Sequence, residues 1–143
     1  MIRTRSLSTW KARHAIVVWI GVILNLCFVL PLIFCPEWLL SLFGIVVNQV
    51  IWAQFAGLLL GILSVFYIPA SIDIDRYRIF AWLQVFPSRT AGVVFFLLAV
   101  TVFDQPIGYI TGVLLDGSVA IPTLICLLNI SRLEQELADG GRP

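Results

Sequence analysis

Three polar residues, Asn25, Arg89 and Asp116, stand in the middle of long apolar runs. An ionised side chain at the centre of a bilayer costs at least about 2.5–3.5 kcal/mol on insertion scales, so such groups face protein or water. Arg89 and Asp116 carry opposite charges and suit three kinds of chemistry. They can form a structural ion pair that fixes helix packing. They can form a polar site for a ligand, a quinone head group or a proton. They can also pair with a different subunit. Asn25 is the candidate third member of this midplane group.

The rest of the inventory narrows the chemistry. His14 is the one histidine and Met1 the one methionine. A haem with two axial ligands from this chain is therefore not expected. His14 with Cys27, Cys35 and Cys126 makes no zinc-ligand spacing, and no two cysteines have redox spacing. The cysteines read as small hydrophobes. Leu26 is too large for the residue before a lipoprotein-type cysteine. No nucleophile–base–orienter set and no phosphate-binding glycine loop is visible, so no catalytic residue is assigned. The chain alone is expected to bind no metal or cofactor, with quinone or lipid left open.

These residues must be positioned by helices. Of 143 residues, 60% are hydrophobic and 12% charged. A soluble domain would carry about 25% charged residues. Four apolar stretches, about 15–34, 51–70, 79–103 and 107–130, each reach the roughly 20 residues needed to span a hydrocarbon core. Alternating segments of about ten residues, the sign of a membrane barrel, are absent. The expectation is a single all-α integral membrane domain over 1–143, a four-helix antiparallel bundle. The N-terminal run is too long for a signal peptide core and lacks an A-x-A site, so it reads as an uncleaved first helix. The net charge of +1 offers no concentrated basic face for nucleic acid.

Basic residues set the orientation. Arg3, Arg5, Lys11 and Arg13 precede helix one, Arg76 and Arg78 lie between helices two and three, and Arg132 and Arg142 follow helix four. The other two links hold Glu37 and Asp104 without Lys or Arg. The positive-inside rule then puts both termini in the cytoplasm, in an inner (plasma) membrane. Counting inward at 1.5 Å per residue puts Arg89 and Asp116 about 15 Å deep, near the midplane, with Asn25 at a similar level.

Local signals refine the plan. Pro36 suits the start and Gly44 the end of a short interfacial helix between helices one and two, anchored by Trp38. Asp73 or Asp75 is expected to cap helix three. Trp10, Trp38, Trp52, Tyr77 and Trp82 fall near helix ends, as an aromatic belt does. Ala53, Gly57 and Gly61 share one face of helix two, and Gly108, Gly112, Asp116 and Ala120 one face of helix four. Such faces let helices approach closely in lipid. Ser88 and Gly92 flank Arg89 and offer a similar approach. Pro31, Pro87 and Pro122 are expected to interrupt helices one, three and four. Gln54 and Gln84 are expected to bond across to a neighbour, and the tail from Glu134 to Pro143 to fray.

The four-helix plan, together with Gln54-Phe55-Ala56-Gly57-Leu58-Leu59-Leu60-Gly61, Phe66-Tyr67-Ile68-Pro69-Ala70 and Arg76-Tyr77-Arg78, resembles small bacterial membrane proteins of the DoxX-like kind. That resemblance implies a bacterial inner membrane and the company of quinone-linked oxidoreductases. Three functions follow as expectations. The first is a non-catalytic accessory or anchoring subunit packed against other integral membrane subunits. The second is a quinone-linked or proton-handling protein using Arg89, Asp116 and Asn25. The third is a small oligomeric transporter.

Overall fold

The structure, a computed structural model, describes residues 2–139. It is all helical among those residues. Four helices are long and apolar enough to cross a membrane: Ser6–Phe34, Val50–Ile72, Arg78–Thr101 and Ile107–Asp139.

Helix α1 runs Ile2–Phe34. It starts well before the apolar run, and its polar turns include the helix-favouring Lys11 and Arg13. Pro31 does not break it, since Cys35 N–H still donates to the Pro31 carbonyl at 2.8 Å. The helix stops at Cys35, because the residue before Pro36 is pushed out of the helical region. Pro36 then opens α2, Pro36–Ser41, as expected. Gly44 closes it at φ +68, a left-handed value at which a side chain is strained.

Helix α3 runs Val50–Ile72 and passes through Pro69 unbroken. Asp73 does not cap the next helix. Its Oδ1 accepts the Asp75 and Arg76 amides, both at 3.1 Å, and so folds the turn that ends α3. Tyr77 occupies the cap position of the next helix and makes no side-chain cap bond.

The third apolar stretch is not one regular helix. It divides into α4, Arg78–Leu83, a wide turn over Gln84–Arg89, and α5, Thr90–Thr101. Phe86 before Pro87 is extended at φ −122, ψ 119. The Thr90 hydroxyl bonds the Val85 carbonyl at 2.8 Å across the break. A short 3₁₀ turn, Ile107–Tyr109, leads into α6, Ile110–Asp139. Pro122 leaves α6 continuous, contrary to expectation. The expected frayed tail is helical to Asp139, and residues 140–143 lie outside the described part.

Helix α1 packs along α3 and α6, and α5 packs along α6, whereas α3 and α5 barely touch. The molecule is therefore dense in one half and open in the other. The dense half holds Ala70, Ile74, Ala81, Val85, Leu127 and Ile130, with Trp10 and Trp82 packed against them. Those two indoles are thus part of the packing, while Trp38 and Trp52 are exposed. Apolar side chains such as Ile23, Val65, Phe95 and Ile121 cover the outside.

Candidate functional site

The open half contains a cavity of about 210 Å³ between α1, α3, α5 and α6. Its floor is polar and its walls are apolar. Arg89, only 3% exposed, reaches it from the end of the wide turn. Arg89 Nη1 donates to Asp116 Oδ1 at 2.9 Å, so the two midplane charges of the sequence meet. The guanidinium also stands 5.7 Å from the centre of the Tyr67 ring, within cation–π range. The Tyr67 hydroxyl in turn shares a short hydrogen bond with Ser88. Arg89 Nε and Nη2 are buried and have no partner among the described residues.

Two glycines admit this pair. A Cβ on Gly92 would stand on Asp116 Oδ2, so the carboxylate approaches α5 only because residue 92 has no side chain. A Cβ on Gly21 would meet Val119 at 2.8 Å and Arg89 Nη2 at 3.1 Å. Gly92 was legible as a close approach, and Gly21 was not singled out. It lies one turn before Asn25 on the same face of α1, which is the signal that points to it.

Asn25 does not join the pair. Its Nδ2 donates to Ser64 Oγ at 2.9 Å, and Ser64 donates to the Leu60 carbonyl at 2.8 Å. It lines the cavity as a separate polar step. Ser64 was missed in the sequence, although it continues the Gly57–Gly61 face by one turn. Two stacked aromatic pairs, Phe28 with Phe43 and Phe96 with Tyr109, also line the cavity.

The small-residue faces have definite neighbours. Gly57 lies against Leu32 and Ile33 of α1, Gly61 lies against Val29, and Ala53 is half-buried beside them. Gly112 lies under the Phe96 ring, and Gly108 lies under the backbone of Phe43. The helix-four face thus seats the chain following α2 as well as a helix. Gln54 donates to the Ile33 carbonyl at 2.9 Å, as expected. Gln84 does not bond across: it is fully buried and both its amide atoms lack a partner among the described residues. His14 is also fully buried, with both ring nitrogens unpartnered among the described residues. Cys126 is buried, but Cys27 and Cys35 are exposed rather than packed inside. No cluster with metal-ligand composition occurs among the described residues.

Comparison with family models, curated proteins and solved structures finds no match.

Proposed function

We propose that this chain is a multi-pass membrane protein that binds the polar head of an amphiphile, a quinone or lipid, in the Arg89–Asp116 cavity. The observation that carries this reading is the Arg89 guanidinium, which lines the cavity and has two buried nitrogens, Nε and Nη2, without a partner among the described residues. An unfilled buried donor costs about 1–3 kcal/mol, and a carbonyl or acidic oxygen would relieve that cost. The volume supports a head group rather than a whole ligand, since ordinary small-molecule sites run about 300–1,000 Å³. Helices α3 and α5 barely touch, and the proposed route for the tail is from lipid between them.

The proposed topology is an antiparallel four-helix bundle with both termini in the cytoplasm. Support comes from the Lys and Arg bias and from the ends that meet. Lys11, the link after α3 and Glu134 share one ion-pair cluster. The role proposed is binding rather than catalysis.

Titration of the purified protein with a short-chain quinone analogue and with lipid tests the reading. Arg89→Gln is expected to weaken binding of one of them at least tenfold, with the helical content retained. Binding that is unchanged in Arg89→Gln rejects it. A second reading, an anchoring subunit of a larger complex, is favoured by the same gap between α3 and α5, which a partner helix would fill. Native mass spectrometry from mild detergent tests it: a lone monomer counts against a partner. The resemblance to DoxX-like proteins suits either reading.

A further inference from the structure

Between the ion-pair cluster at the termini and the Arg89–Asp116 pair lie polar groups that the cavity does not use. His14 and Gln84 are each 0% exposed. Both nitrogens of His14, both amide atoms of Gln84, and Nε and Nη2 of Arg89 have no partner among the described residues. Their levels follow from the contacts on either side. Lys11, Arg78 and Glu134 meet at the terminal end. Gly21, Arg89, Asp116 and Val119 meet at the cavity floor. On α1, His14 stands three residues, or about 4.5 Å, inward from Lys11. On the third helix, Gln84 stands six residues, or about 9 Å, inward from Arg78. Next come the bonded Tyr67 and Ser88 hydroxyls, and then Arg89. By this count His14, Gln84, Ser88 and Arg89 stand at successively greater distances along the helices from the ion pairs.

Leaving these groups dry is too costly. The four buried atoms of His14 and Gln84, at about 1–3 kcal/mol each, would rival the whole stability of a typical domain, about 5–15 kcal/mol. Internal water removes the cost, because a buried water takes two to four polar partners. A neutral imidazole offers one donor and one acceptor, and an amide offers both kinds.

We infer that His14 and Gln84 hold a file of internal water through which Asp116 exchanges its proton with the face bearing the termini. Each water in the file accepts one proton and releases another. The last delivers its proton to the Asp116 carboxylate, giving a neutral acid and moving no electrons. Neutral Asp116 frees Arg89 for an oxygen in the cavity, and only this consequence rests on the proposed amphiphile site. Arg89 and Tyr67 face Asp116. Lys11, Asp75, Arg78 and Glu134 face the mouth of the file, and buried Cys126 of α6 stands at the level of His14.

The test is an acid jump on the full chain in lipid nanodiscs. It follows the infrared carbonyl band of protonated Asp116, assigned by its loss in Asp116→Asn. The double variant His14→Phe, Gln84→Leu is expected to slow the band's appearance at least tenfold and leave its midpoint pH in place. An unchanged rate overturns the proposal, whether or not the midpoint moves. Should the variant not fold, a high-resolution structure of the wild-type chain decides. Ordered water bonded to His14 and Gln84 supports the file, and a dry interior or a direct bond between the two side chains overturns it. Quinone-analogue binding in the same discs separates the two readings. Slowed protonation without binding rejects the amphiphile site and keeps the file. Intact binding with an unchanged rate does the reverse.

Discussion

At the scale of residues, the Arg89–Asp116 pair is a case where removing one partner is worse than removing both. Breaking a buried pair costs about 3–5 kcal/mol, because the remaining charge is left in low dielectric. Asp116→Asn leaves the buried Arg89 charge without its carboxylate. Thermal unfolding in detergent should therefore show a large loss for Asp116→Asn, and a smaller one for Arg89→Gln with Asp116→Asn. The exchange Arg89→Asp with Asp116→Arg should be better tolerated than either half of it. Glycines give a sharper comparison. A Cβ at Gly92 would displace Asp116 Oδ2, while one at Gly117 meets nothing within 4 Å. Gly92→Ala is expected to lower stability by about 1–3 kcal/mol through overpacking. Gly117→Ala should be neutral or stabilising by up to about 1 kcal/mol, since alanine suits a helix better. Equal melting temperatures for the two would refute the packing argument. Asn25 shows what residue depth alone leaves out. Counting along the helix brought it to the level of the pair, but the direction in which it points is a rotation. It points at Ser64 of α3.

At the scale of elements, the four spans were legible because apolar length is a direct consequence of bilayer thickness. Their ends were not, because hydropathy marks where lipid would stop and not where hydrogen bonding stops. Helices α1 and α6 continue through Lys11, Arg13, Glu134 and Glu136, charged residues with good helix propensity. Rotation was also illegible. A helix that is apolar all round has no stripe to say which face turns inward, so the burial of His14 and Gln84 could not be read. Short-range rules did better. Pro36 opens α2 and Gly44 closes it, each for a reason local to its own backbone. That reason has a consequence: no neighbour lies within 4 Å of a Cβ on Gly44, so an alanine there would suffer only from its φ of +68. Gly44→Ala should cost about 1 kcal/mol from the left-handed conformation alone. Differential scanning of the purified protein checks this, and a loss several times larger would mean that the turn also packs against something.

At the scale of the whole molecule, the helices are gathered at one end by charge. Lys11 of α1 bonds both oxygens of Asp75, at 2.7 and 2.6 Å, and Arg78 bonds Glu134 of α6 at 2.6 Å. Arg78 also reaches Asp75 at 3.4 Å, so one network joins α1, the link after α3, α4 and α6. By contrast, the exposed Arg132–Glu136 pair lies within a single helix and ties nothing together. The hydrogen bond from Lys11 holds the Asp75 carboxyl below its ordinary value of 3.8, against the smaller opposing effect of burial. The sign of the pH effect follows. Between the depressed native pKa and 3.8 the unfolded chain binds the proton more readily, so stability rises with pH in that window. Asp75's contribution is therefore complete above the ordinary value and is lost as pH falls through the native one. Melting temperature against pH should fall more steeply on the acid side for the wild type than for Asp75→Asn, with the two curves converging at the lowest pH. Because the network is exposed on the Asp75 side, added salt should narrow the gap between them at neutral pH. A gap that widened on acidification would mean that the native bundle favours the protonated Asp75 carboxyl, and would refute a stabilising bond from Lys11 to the carboxylate. The joining of the helix ends would then have to come from the apolar cluster around Trp10 and Ile130 alone.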